Sequence, residues 1–268
     1  MKIQQGKAEL DIELSDMHTD KRLSYWDASI KKYVPVEHSC LPNTHFLICI
    51  AGRCGSGKST TLVSWLVSRS PTSRIYRGCY DQVIFICNKT SLSSMKNSPF
   101  GEIPEEQIFA DFNSETLSKV WAMVVENKEN DKDTLIVIDD QCSRTRQFEA
   151  QFNNICLVHR HYRCSIIWCV QDLKSMVSPT LRNNMSGILL FRNENKIREK
   201  VVHEEYLSFL TPKEFAQFSK FIWRNHGDTL YIDTKSHPMK LYRNYKLLNI
   251  TGYDSELTDD ITDVQDPS

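Results

Sequence analysis

The stretch "AGRCGSGKSTTL" at positions 51–62 constrains this chain more than any other. Gly52 is followed, after four residues, by Gly57, Lys58 and Ser59, the spacing of a phosphate-binding loop. Such a loop works only between a buried strand and a helix, and both are legible. "HFLICI" (45–50) is a continuous apolar run, as a strand buried on both faces requires. "KSTTLVSWLVS" carries Leu62, Trp65 and Leu66 at helical spacing. Glycines in the loop let backbone N–H groups turn onto phosphate oxygens at the positive end of the following helix. The expected cradle is Gly52, Arg53, Cys54, Gly55, Ser56, Gly57, Lys58, Ser59 and Thr60. Lys58 is expected to bridge the β- and γ-phosphates of ATP, and Ser59 to place its hydroxyl on Mg²⁺.

The rest of the pattern repeats that alternation. "QVIFIC" (82–87), "TLIVID" (134–139), "SIIWCV" (165–170) and "GILLF" (187–191) are further short apolar runs. Helical periodicity lies between them, as at Phe148, Phe152, Ile155, Cys156 and His159. This predicts an α/β domain over 41–250 with a mainly parallel sheet and helices on both faces. Residues 1–40 are polar, with anchors such as Tyr25, Trp26 and Tyr33, and read as an extension packed on the surface. An apolar content of 40% is enough for a real core. No run of 18 apolar residues spans a membrane, and the polar start does not resemble a signal peptide. The nine cysteines have no metal-ligand spacing, which excludes a zinc site and predicts buried reduced thiols in a cytosolic setting.

The net charge of −1 hides an asymmetry. Six acidic residues and no basic one fall in 254–268, so the body carries 28 acidic against 33 basic residues, a net +5. The segment 251–268 is therefore expected to be a solvated, disordered acidic tail, and the body to tolerate an anionic partner.

A phosphate loop needs a second carboxylate site for its metal. "TLIVIDD" ends a buried strand in Asp139 and Asp140, 81 residues after Lys58 for the first of them. Asp139 is expected to hold Mg²⁺ and Asp140 to polarise the attacking water. No glycine follows these acids, and "NKTS" (88–91) lacks the aspartate that recognises guanine, so ATP is favoured over GTP. The run Ser165–Val170 ends in Gln171, which a strand inserted between loop and acid strands would set beside the γ-phosphate. Arg160 precedes that strand and is the first choice as an arginine finger for a neighbouring subunit, with Arg182, which follows the strand, as the alternative.

Taken in order, "AGRCGSGKST", "TLIVIDDQ", "HRHYRCSIIWCVQ" and "SPTLRNNMSGILLF" resemble the viral genome-packaging ATPases of the FtsK–HerA superfamily. The likeness is nearest to the poxvirus-type packaging ATPases of large DNA viruses and covers about residues 44–192. It implies a P-loop NTPase of the additional-strand, catalytic-acid type, forming a homo-oligomeric ring of six or five subunits. Such a motor drives double-stranded DNA into a preformed capsid, engages a capsid vertex protein, and works in the host cytoplasm or the virion. By this resemblance Lys58 and Ser59 match the first motif, Asp139 and Asp140 the second, and Gln171 the superfamily's glutamine. The superfamily commonly has Glu where Asp140 stands. Arg160, Arg163 and Arg182 all fall where the finger is expected. For DNA, Arg144 and Arg146 after the acid strand, or Arg192, Lys196, Arg198 and Lys200, are candidate backbone contacts. A helicase and a slow-turnover ATP-dependent switch or scaffold are the rival readings.

Overall fold

The computed structural model describes the backbone of residues 2–5, 8–14, 25–27, 32–34, 40–43, 45–67, 75–87, 103–139, 145–193 and 195–251. Side chains are described for these from 40 onward, except 67, 145, 146, 196–198 and 251. The strands are β1 (Lys2–Gln5), β2 (Ala8–Leu14), β3 (Tyr25–Asp27), β4 (Lys32–Val34), β5 (Leu47–Ala51), β6 (Gln82–Cys87) and β7 (Ile108–Phe109). They continue as β8 (Thr134–Asp139), β9 (Cys164–Val170), β10 (Gly187–Phe191), β11 (Thr229–Asp233), β12 (Lys240–Arg243) and β13 (Lys246–Thr251). The helices are α1 (Lys58–Val67), α2 (Ser114–Glu129), α3 (Glu149–Val158), α4 (Leu173–Met176), α5 (Pro179–Asn184), α6 (Lys196–Tyr206) and α7 (Pro212–Ile222).

From Leu47 onward nine strands build a mostly parallel sheet. Six of them, in the order β10-β5-β9-β8-β6-β7, run parallel. The apolar runs of β5, β8, β9 and β10 are buried along their length, as strands covered on both faces must be, and β6 is buried over its last four residues. One face packs Ile48, Ile50, Val137 and Cys169 against Leu62 and Trp65 of α1. The other packs Cys49, Ile138 and Trp168 under α2, α3, α6 and α7. The expected α/β fold with helices on both faces is the one observed.

The sheet does not end at β10. β11, β12 and β13 extend it antiparallel, and β2 and β1 continue it beyond β13. "GILLF" is the last strand the sequence predicts, because "TLYID" of β11, though buried, follows no motif, and "KLYR" and "KLLNIT" mix polar with apolar residues. The first helix of this region after α6 is the best signalled locally. Thr211 and Glu214 cap α7 reciprocally, Pro212 opens it, and Phe215, Phe218, Phe221 and Ile222 are buried. The first forty residues contribute strands to this edge through the β13–β2 pairing. The 251–268 segment lies outside the described residues.

Because six strands point the same way, their C-terminal ends form one pole of the sheet and their N-terminal ends the other. Crevices at the carboxyl ends of such strands are where ligands bind in open α/β sheets.

Candidate functional site at the carboxyl pole

β5 enters the glycine loop and α1 leaves it. Gly55 and Gly57 have φ of +75° and +107°, which lets the loop reverse its amides without a side-chain clash. Gly52 answers a different need. A Cβ there would stand 2.5 Å from Ser56 Oγ and 2.8 Å from Phe191 Cβ. The loop thus lies directly on Phe191 of the neighbouring strand, tied to the other neighbour by Gly52 N–H donating to Val170 O at 3.1 Å. Lys58 folds back over the loop and donates from Nζ to the carbonyls of Gly52 (2.7 Å) and Arg53 (3.0 Å). The first-turn amides of α1 lack intrahelical partners and form its positive end.

β9 lies between β5 and β8, as expected for an additional strand. The carboxylate of Asp139, at the end of β8 and 6% exposed, reaches back to this loop across β9. Ser59 Oγ donates to Asp139 Oδ2 at 2.7 Å. A hydroxyl and a carboxylate facing each other at a helix N-terminus fit Mg²⁺, which takes few protein oxygens and the rest from phosphate and water. Among the described residues no group of three His, Cys, Asp or Glu forms a denser metal cage. Two buried thiols that feel the Asp139 charge are held protonated. Burial, then the Asp139 charge, pushes Cys87 up to about 12, and burial pushes Cys169 well above its ordinary range.

Gln171 is exposed at the end of β9 and shares a narrow cleft with Gly52, Asp172, Asn193, Glu199 and Trp223. The last three were not foreseen. They come from the β10–α6 junction and from the end of α7, and no local spacing points to them. Asp172 itself caps α4, its Oδ1 accepting from Lys174 N at 3.3 Å.

Asp140 and Arg144 lie outside the described residues, and of Arg146, Lys196 and Arg198 only the backbone is described. Arg192 is exposed just past β10, at the carboxyl pole. Lys200 pairs with Glu204 at 3.3 Å on the exposed side of α6.

The three candidate finger arginines separate clearly. Arg182 is 7% exposed, its Nε and Nη2 each donate to Glu205 at 2.6 Å, and its Nη1 donates to Val177 O. Its fork is spent on tying α5 to α6, which corrects its choice as an alternative finger. Arg163 pairs with Asp133 at 3.0 Å and Asp131 at 3.3 Å. Arg160 is exposed, and its bond among the described residues is to the Ser186 hydroxyl, at 3.4 Å. It does not lie near the nucleotide end of the sheet, where its position before the Gln171 strand had suggested. It precedes the start of β9, at the opposite pole, because the strand carries the chain from one pole to the other.

No known family model matches the chain. The uncharacterized protein 088R of Invertebrate iridescent virus 3 is 25% identical over 186 residues, 65% of this chain and 63% of that protein, so under two thirds of the relative is spanned. The solved structure of the genome packaging NTPase B204 from Sulfolobus turreted icosahedral virus 2 with ATP-gammaS matches at a TM-score of 0.51. It is 14% identical, over 74% of this chain and 96% of that one. The same protein with sulfate matches at 0.53, with 17% identity over 74% and 95%. The chain therefore shares its fold with that protein. Among the described residues no helix is long and apolar enough to cross a membrane.

Proposed function

We propose that the chain is an ATP-hydrolysing motor that moves double-stranded DNA into a preformed viral capsid. The observation that carries this reading is the Ser59–Asp139 contact across the inserted β9 strand, on a fold shared with a packaging NTPase. Bound Mg²⁺ would supply charge neutralisation at the phosphates, held through Ser59 and Asp139. The loop amides and Lys58 hold and orient the phosphates. Asp140 follows the buried end of β8 and is assigned the proton of the attacking water, the role for which a second acid is needed. Gln171, in a cleft it shares with Gly52 of the loop, orients that water without competing for its proton.

In this reading the motor is a ring of six or five copies, and Arg160 of one copy completes the site of the next. Of the three arginines it is the one whose charge no described carboxylate neutralises. The domain over 41–250 is the motor. Arg144, Arg146, Arg192, Lys196, Arg198 and Lys200 remain the proposed DNA contacts, and the capsid vertex the docking partner. Phosphate release measured with and without double-stranded DNA tests the reading. Mg²⁺-dependent hydrolysis of ATP that DNA accelerates several-fold is expected. Absence of hydrolysis overturns it, and hydrolysis indifferent to duplex DNA overturns the motor.

A further inference from the structure

At the amino pole three separate segments converge. The 3₁₀ turn His159–Tyr162 brings Arg160, whose Nη2 donates to Ser186 Oγ in the link before β10. The β11–β12 turn is pinned to the same link, Thr234 Oγ1 donating to Met185 O, and the next residue is the exposed Lys235. Arg160 and the residue before Lys235 thereby bond the same two-residue link, Met185–Ser186. Partial burial, and then the Arg160 guanidinium, hold the Lys235 amine below its usual range despite Asp233. Asp233 is itself engaged by Ser236 Oγ and by the backbone N–H groups of Lys235 and Ser236. Arg160 and Lys235 also help to lower buried His159. Like charges gathered at one link, with no ion pair to a carboxylate among the described residues, are unfavourable in the isolated chain and suited to a polyanion.

We propose that Lys235 acts in trans, beside Arg160, on the phosphates of the nucleotide held by an adjacent copy of this chain. The inference rests on the ATPase reading above and adds to it a second cation from a different element. Neither side chain reaches its own loop, since the seven residues of β9 at about 3.3 Å each put roughly 20 Å between the poles. A copy whose amino pole meets its neighbour's carboxyl pole makes a heterologous contact, the kind that closes into rings. Charge complementarity favours it, two cations facing a triphosphate in its cradle. Each site is then incomplete without the next copy.

The full chain tests this with three variants. Lys235→Ala should lower turnover at saturating ATP by about 10-fold or more, near the low end for a positioned cation. Lys235→Arg should retain most of it, and the exposed position should leave the melting temperature unchanged. Lys58→Ala copies, dead at their own loop but intact at the amino pole, should raise the turnover of Lys235→Ala copies when mixed with them. An unchanged turnover in Lys235→Ala, or a fall that mixing does not rescue, overturns the proposal while leaving the ATPase reading in place. So does a loss confined to duplex-DNA affinity with DNA-free turnover intact, which would make the pair a DNA contact. A wild-type protein that hydrolyses no ATP would instead remove the reading on which it stands.

Discussion

The two poles of the sheet are built from different materials. The carboxyl pole relies on backbone: reversed glycine amides, a helix terminus, and a lysine lying on two loop carbonyls, with one side-chain pair, Ser59–Asp139, across them. The amino pole relies on side chains. His45 and Arg163 converge on Asp133, His45 N–H donates to Ser165 Oγ at 2.7 Å, and buried His159 bonds the Cys164 carbonyl at 2.7 Å. The difference teaches where each kind of substitution acts. Backbone cradles lose function and keep their fold when a projecting side chain is removed, whereas interlocked side chains carry stability.

The comparison can be pressed hardest at the carboxyl pole. Lys58→Ala should reduce ATP turnover to background with little change in melting temperature. Asp140→Asn should keep Mg·ATP bound and slow hydrolysis about 10²-fold or more, as when a general base is lost. Equilibrium nucleotide binding separates the two, and loss of binding in Asp140→Asn would reverse the roles given to Asp139 and Asp140.

A pair of arginines gives a contrast in stability. Arg182→Ala leaves Glu205 without its partner and opens the α5–α6 tie, at a cost of about 3 kcal/mol. In a chain this size that is a fall of about 6–12 °C in thermal unfolding. Arg160→Ala, exposed and bonded to one hydroxyl, should stay within about 0.5 kcal/mol of the parent. A reversed order would mean that Arg160 carries structure rather than a role between copies.

A smaller effect than the loss of Arg182 is one of pH. Burial, with Arg160, His45 and Lys235 adding to it, lowers His159 to about 4, against 6.5 for the ordinary imidazole. The unfolded chain therefore binds the proton more readily between those values. The stability that neutral His159 contributes is full above pH 6.5 and is lost as pH falls towards 4, by about 2 kcal/mol at pH 5. Thermal melts at pH 7 and pH 5 should show a larger drop for the parent than for His159→Gln. Equal drops would place the titration elsewhere.

What could be read beforehand follows from sequence separation. Gly52 to Ser59 lie within eight residues, so their geometry is local and the loop announces itself. Five parallel strands were legible because burial on both faces demands unbroken apolar runs, and β6, β8 and β10 fall where "QVIFIC", "TLIVID" and "GILLF" stand. The antiparallel half gave no such signal, since strands solvated on one face interleave charged and apolar residues, as "KLYR" of β12 illustrates. Sequence position put Arg160 ahead of Arg182 as the finger, yet each is simply a basic residue near the Gln171 strand. Only the fold tells them apart: Glu205, 23 residues on, closes one fork, and the length of β9 carries the other to the far pole. The sequence by itself thus determined a phosphate cradle, its acid strand and an α/β core, because each is set by neighbours in the chain. Which charges are spent and which are free was decided by tertiary structure alone, because a charge is neutralised by what stands beside it in space.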